Sequence, residues 1–236
     1  MPEPCLPTPA NSLDSDPDEV ATIEVTAGSA AALNPEAGSH DVTVDPRELE
    51  AVFRAGEHSW QRFPYYERRY GERGRRFTTS DSAWIATLAT ASAVDARRQL
   101  RWLGALLATR GMPRWLLEVH LEALHSELVS AVPEQRAAYD RLLRVAAMFR
   151  EERLRHLDET TTAELAAAFD RRVGPSPVNG LAEAGALLVA AVADERAGMI
   201  GAVAGLLDWL ADPARFSDDW IAATDETVTA ARARAR

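Results

Sequence analysis

The chain of 236 residues is 47% hydrophobic and 26% charged, a composition that excludes a wholly disordered or fibrous protein. Its formal net charge of −10 lies almost entirely in residues 1–45, which hold nine acidic side chains and no Arg or Lys. Residues 46–236 hold 26 Arg and 27 Asp or Glu. This part of the chain therefore lacks the basic excess of a nucleic-acid-binding domain.

Cysteine content and hydropathy bear on the location of the protein. The single cysteine, Cys5, cannot form an intramolecular disulfide, which favours the reducing cytoplasm. The first ten residues lack the basic and apolar regions of a secretory signal. The most apolar stretch, residues 184–207, is interrupted by Asp194, Glu195 and Arg196 and is too short to predict a membrane span. We therefore expect a cytoplasmic protein that does not contact membranes.

Residues 1–45 predict a disordered acidic tail. Six prolines and few apolar residues leave too little hydrophobic surface to offset the entropy of ordering this segment. The alternating residues 21–26 have the pattern of an edge strand, although a single strand is unstable alone.

The sequence after the tail predicts helices and no strands, so the expected fold class is all-α. The first helix begins at Pro46 and ends before Pro64, because proline suits the first position of a helix. Pro64 opens a second helix, which ends at Gly71 or Gly74 because glycine commonly terminates helices.

Four more helices are predicted before residue 159. The third begins at Ser80 or Asp81, since both are favourable N-cap residues. The fourth spans residues 93–110, the fifth begins at Pro113 and the sixth at Pro133.

Residues 159–236 predict a further helical segment. An Ala-rich helix in this segment has a predicted bend at Gly198 or Gly201. A last helix begins near Asp218 and ends in a basic run that suits a helix C-terminus.

Residues 103–117 carry a resemblance to a known family. They contain the end of one helix and the start of a long apolar helix, joined by the turn Gly111-Met112-Pro113-Arg114-Trp115. This segment resembles a junction in the sensor-globin and protoglobin families, where the helix that bears the haem-ligating histidine precedes a Gly-Leu-Pro-x-Trp turn. The resemblance implies a globin-like six-helix module over residues 46–158. Residues 159–236 are then a helical extension or a small second domain.

One departure from the family pattern concerns iron. The family's histidine lies about four residues before the turn glycine, and the matching residue here is Leu107. Leucine has no atom that ligates iron, so the resemblance implies a globin-like module without haem. Haem-free sensor globins occur in stress-signalling scaffold proteins, where the helices serve dimerisation and partner contact.

By this analogy the protein is not an enzyme but a regulatory or sensory module. It would act as a homodimer through changes in helix packing and would bind an unidentified protein partner. The candidate interface residues on the fifth and sixth helices are Leu124, Leu128, Tyr139 and Leu143.

A haem-binding gas sensor of the protoglobin type is the first alternative. His120 lies near Leu117 and Leu124 on the predicted fifth helix, and a neutral imidazole is a common haem ligand. A histidine in this position is more often a core-edge or interface residue.

A ferritin-like di-iron protein is the second alternative. Glu118, Glu122 and His125 fall at i, i+4 and i+7, and Glu122 and His125 match the Glu-x-x-His unit of di-iron proteins. That architecture needs a second such unit and two further carboxylates, and no other helix supplies the pattern. A solvated polar helix face accounts for the same three residues.

Arg69, Arg73 and Arg76 belong to a cluster in which arginines alternate with aromatic residues. Guanidinium groups bind phosphate and stack on nucleobases, so these three are candidate anion-binding residues. Solvated arginines and local ion pairs also explain the cluster, and the lack of a basic excess favours this interpretation. The acidic tail is a potential intramolecular competitor. No nucleophile elbow, phosphate loop or dinucleotide motif is present in the sequence.

Overall fold

The computed structural model describes residues 28–174 and 181–236, and these residues form an all-helical fold. The α-helices are α1 (Ala30–Leu33), α2 (Pro46–Arg62), α3 (Pro64–Leu88), α4 (Ala93–Thr109), α5 (Arg114–Ala131), α6 (Arg136–His156), α7 (Glu159–Val173), α8 (Ala184–Arg196), α9 (Ala202–Leu210) and α10 (Asp218–Arg234), with a 3₁₀ turn at Pro133–Gln135. None of these described helices is long and apolar enough to cross a membrane. Residues 1–27, with the predicted strand at 21–26, lie outside the described ranges.

Residues 28–45 form an ordered arm, which corrects the prediction of disorder for this part of the tail. Ala30 and Val42 are buried in the core. Their amides donate to the carbonyls of His40 and Gly28 at 2.9 and 2.7 Å. Burial of apolar side chains and paired backbone groups together offset the entropy of ordering the arm.

Helix boundaries follow several of the signals in the sequence. Asp45 caps α2 with its side chain, and Pro46 and Pro64 occupy the first positions of α2 and α3, as predicted. Gly198 and Gly201 both have positive φ and lie between α8 and α9. The predicted bend is therefore a break into two separate helices.

The prediction of a third helix that begins at Ser80 or Asp81 is wrong, because both residues lie inside α3. Gly71 has a φ of 51° and a ψ of −151°, which are not helical values, so α3 consists of two helical stretches that meet at a kink where the sequence predicts a helix end. Glycine has no Cβ, so one residue with positive φ costs little and the helix resumes at once. The Ser80 hydroxyl donates to the carbonyl of Phe77 at 3.1 Å and caps nothing.

The described residues form two hydrophobic cores. The arm and helices α2 to α6 supply the first, and α7 to α10 supply most of the second. Phe63, Tyr65 and Leu116 come from the first half of the chain but are buried in the second core. Residues 159–236 therefore pack directly against the first module.

Three of the predicted interface residues lie in the first core. Leu124, Leu128 and Tyr139 each have 0% of their surface exposed. The Tyr139 hydroxyl donates to the buried carboxylate of Glu48. A side chain without exposed surface cannot contact a second chain, so the prediction is wrong for these three. Leu143 is 36% exposed and is the one member of the set that reaches the surface.

A buried ionic cluster joins the two halves. Arg114, at the start of α5, donates to Asp194 of α8 through both Nε and its backbone amide at 2.7 Å. Its Nη1 donates to Glu152 of α6 at 2.6 Å. Burial raises the pKa of Asp194, and the charge of Arg114 opposes this rise. The cluster fixes α5, α6 and α8 against one another.

The turn between α4 and α5 lies against α9. Gly111 in this turn has a φ of +83°. A Cβ at this position would overlap Nη1 of Arg69 and would lie 2.5 Å from the carbonyl oxygen of Gly205 in α9. The backbone conformation and the close contact both require glycine here.

We expect Gly111→Ala to lower the free energy of unfolding by about 2–5 kcal/mol, the sum of left-handed backbone strain and overpacking. Gly198→Ala is the matched control, because Gly198 has a φ of +92° but no atom within 4 Å of a Cβ. The control should lose only about 1–2 kcal/mol. Urea denaturation measures both losses, and equal losses would contradict the close contact at Gly111.

Candidate functional site

A cavity of about 350 Å³ lies between α3, α4 and α5. Its size is in the range of cavities that bind small molecules. Most of its lining is apolar or aromatic, from Tyr66, Tyr70, Phe77, Ile85, Leu103, Leu107, Met112, Pro113, Leu116 and Leu117. We call this space the central cavity.

Helical spacing places the residues of the central cavity on facing surfaces. Phe77, Asp81 and Ile85 follow one another at intervals of four residues after the kink at Gly71, so they share one face of the second part of α3. Leu107 borders the cavity from α4.

His120 of α5 is buried beside the cavity and is held by two serines. Its Nδ1 lies 2.8 Å from Ser59 Oγ, and its Nε2 lies 2.7 Å from Ser82 Oγ. Burial lowers the pKa of His120 to about 4, so near neutral pH one ring nitrogen donates and the other accepts. One serine therefore donates to the ring, and the other accepts from it and donates to a backbone carbonyl of its own helix, that of Ala55 or Thr78.

The donor set around the central cavity does not suit haem iron. Leu107 contributes only hydrocarbon to the lining. His120 is the one imidazole in the lining, and both of its nitrogens are engaged by serine hydroxyls. Binding of iron would break one of these buried hydrogen bonds, at a cost of about 1–3 kcal/mol for the group left unpaired.

Three arginines border the central cavity, Arg69, Arg73 and Arg110, and we call them the arginine rim. Asp81 is the one carboxyl in the lining. Burial raises the pKa of Asp81 to about 6, although the charge of Arg110 opposes the rise. The border is therefore positive near neutral pH, and a positive border beside an apolar space favours amphipathic anions.

Arg69 connects the central cavity to the C-terminal half. Its Nη1 donates to the hydroxyl of Tyr65 at 2.6 Å, and that hydroxyl donates to the carbonyl of Gly111. Its Nη2 donates to the carbonyl of Gly205 in α9 at 2.9 Å. The Arg69 guanidinium therefore links the residues that border the cavity to α9.

The three arginines predicted to bind an anion are only partly brought together. Arg69 and Arg73 border the cavity, whereas Arg76 does not. Arg73 and Arg76 bind Glu36 of the arm at 2.7 and 3.0 Å. The hydrogen bonds from these two arginines lower the pKa of the Glu36 carboxyl.

The structure does not bring Glu118, Glu122 and His125 together as a metal site. Glu118 accepts two hydrogen bonds from Arg153 at 2.9 and 3.1 Å. His125 Nε2 lies 2.9 Å from the carboxylate of Asp140. In the part of the chain that the structure describes, no group of three or more His, Cys, Asp or Glu is placed to hold a metal ion. Glu118 and Glu122 instead border a second cleft, of about 320 Å³, between α5, α6, α7 and α8.

Sequence reasoning misses Ser59, Ser82 and Arg110 as site residues and gives Asp81 only a capping role. A helical stripe along α3 is the signal that identifies Asp81 and Ser82. The predicted helix break between Gly71 and residue 80 hides this stripe. No sequence signal links Ser59 to His120, because they are 61 residues apart.

The chain matches no protein-family model, no curated protein and no solved structure. We therefore infer function from the central cavity, the arginine rim and the contact of Arg69 with α9.

Proposed function

We propose that the protein is a non-catalytic sensory module that binds a small amphipathic anion in the central cavity. The apolar body of the ligand lies beside Leu107, and its acidic group binds Arg69. This binding weakens the hydrogen bond from Arg69 to Gly205 and shifts the packing of α9. One observation carries the proposal: Arg69 borders the cavity, and its guanidinium also holds α9.

The resemblance to haem-free sensor globins supports this proposal by analogy. Leu107 stands at the family's haem-ligating position and borders the cavity. The proposal does not require a second copy of the chain, because the signal passes from Arg69 to α9 within one molecule. A protein partner of the kind that the resemblance implies would bind where α9 moves.

Binding of 1-anilinonaphthalene-8-sulfonate, a fluorescent amphipathic anion, tests the proposed site. At about 0.3 kcal/mol per non-hydrogen atom, this ligand gains about 6 kcal/mol, which corresponds to a Kd of about 30 μM. We expect saturable binding of one probe molecule per chain. Fluorescence titration of the full-length protein measures this binding.

Two variants of the central cavity and one distant control make this titration specific. Leu107→Trp fills the space and Arg69→Met removes the charge, so each should weaken binding about tenfold or more. Arg172→Met removes an exposed guanidinium that pairs with Asp219, and it should leave the affinity unchanged. Circular dichroism verifies that each variant is folded. Equal affinities in all four proteins, or a Soret band that disappears with His120→Ala, would refute the proposal.

A further inference from the structure

The acidic segment 1–27 joins the described fold beside α3. The carbonyl of Gly28 accepts a hydrogen bond from the amide of Val42. The amide of Thr43 donates to the carbonyl of Ala83 in α3. Phe77, which borders the central cavity, lies six residues before Ala83, about 9 Å along the helix axis. The segment therefore begins near α3, the helix that lines one side of the cavity.

The composition and reach of this segment suit a cationic surface. Residues 1–27 contain six acidic side chains and no Arg or Lys. Glu24 precedes Gly28 by four residues, and four extended residues span about 13 Å. Asp18 precedes Gly28 by ten residues, which span about 33 Å when extended, so carboxylates of the segment can reach the border of the cavity from either face of α3.

The border of the central cavity already binds one acidic residue that precedes α2. Glu36 of the arm pairs with Arg73 of the arginine rim at 2.7 Å. Arg69 and Arg110 are the other two members of the rim, and Asp81 is the one carboxyl in the lining. The rim therefore keeps positive charge for a further acidic occupant.

We propose that segment 1–27 binds the arginine rim and competes with the amphipathic anion for the central cavity. This inference rests on the proposed ligand site. A short tether gives the carboxylates an effective concentration in the millimolar range, so even weak pairing occupies the rim. Charge complementarity between the acidic segment and the arginine rim favours this occupant. Because the ligand must displace the segment, a higher ligand concentration is needed to fill the central cavity.

Neutralising three acids of the segment tests this competition in the full-length chain. The variant carries Asp18→Asn, Glu19→Gln and Glu24→Gln. We expect it to bind the naphthalenesulfonate probe about three- to tenfold more tightly than the wild type at about 0.1 M salt. The difference should disappear near 1 M salt, where the Debye length is about 3 Å.

The matched control neutralises three exposed acids on α6, α7 and α10, away from the central cavity. It carries Glu151→Gln, Asp170→Asn and Asp225→Asn, and it changes the net charge by the same amount. We expect it to bind the probe like the wild type. Equal affinities of all three proteins overturn the competition but leave the ligand site intact, and tighter binding by both variants overturns it as an effect of net charge.

A nitroxide label on the segment detects docking without any probe. The double substitution Cys5→Ser and Val20→Cys leaves one labelling site in the chain. We expect paramagnetic broadening of the amide signals of Phe77 and Arg110, and loss of this broadening when the three acids are neutralised. Absence of broadening overturns the inference whether or not the probe binds. If the broadening is present but neither the wild type nor any variant binds the probe, the ligand site is wrong. The proposed competition is then wrong as well.

Discussion

Arg114→Met is expected to lower the free energy of unfolding by about 3–5 kcal/mol. The substitution keeps the hydrocarbon chain but removes the only cation that binds both Asp194 and Glu152 within the described fold. Arg114 is 5% exposed and Asp194 is 2% exposed, so water cannot replace the lost partner. Urea denaturation at pH 7 measures the loss.

The exposed pair of Arg232 and Glu195 is the matched control for this substitution. It has the same chemistry, with two hydrogen bonds of 2.7 and 2.8 Å, but its side chains are 47% and 34% exposed. Arg232→Met should therefore cost no more than about 1 kcal/mol. A loss of this small size in Arg114→Met would contradict the buried ionic link between the two halves.

Acid is expected to destabilise the protein through His120. The pKa of His120 is lowered to about 4 in the fold, against 6.5 for the free side chain, so the unfolded chain binds the proton more readily. The contribution of the neutral His120 to the free energy of unfolding is fully present above about pH 6.5, and it is lost as the pH falls towards 4. A shift of this size corresponds to about 3 kcal/mol.

The contribution of His120 is measured as a difference between two proteins, because other groups titrate in the same range. Burial raises the pKa of Asp81 to about 6, so its contribution to stability has the opposite sign. His120→Gln keeps hydrogen-bonding groups for Ser59 and Ser82 but cannot titrate. Between pH 6.5 and 4 the wild type should lose about 3 kcal/mol more than His120→Gln. Parallel stability curves for the two proteins would refute a buried neutral His120.

The sequence predicts the helix boundaries where a local signal determines them. Pro46 and Pro64 start helices because an α-helix accepts proline without a kink only in its first turn. Gly71 does interrupt the helix as predicted, but the glycine alone does not distinguish a helix end followed by a loop from a kink after which the next helical stretch begins at once. Packing of the residues on both sides decides between these outcomes, and local sequence does not contain that information.

Three of the four predicted interface residues are buried for a related reason. Leu124 and Leu128 form an apolar helical stripe, and such a stripe is required both for a core and for an interface. An interface needs an apolar helix face that the rest of the chain leaves uncovered. Here α6 covers α5, and Tyr139 fills the space between the helices and Glu48.

The candidate site is only partly predictable from the sequence. Leu107, His120 and Arg69 are identified by type and by position in the predicted helices. Their common location beside one cavity depends on the crossing of α3, α4 and α5. The contact of Arg69 with Gly205 joins residues 136 positions apart, and no local pattern predicts it.

Hydrogen exchange of α9 tests most directly whether occupation of the central cavity is transmitted to the C-terminal half. Saturation with the naphthalenesulfonate probe should remove the hydrogen bond from Arg69 to Gly205 and speed exchange over residues 202–210 about tenfold, equivalent to about 1.4 kcal/mol. Arg69→Met should exchange quickly without the probe and respond no further when the probe is added. Unchanged exchange of α9 in a wild-type protein that has bound the probe would contradict the account.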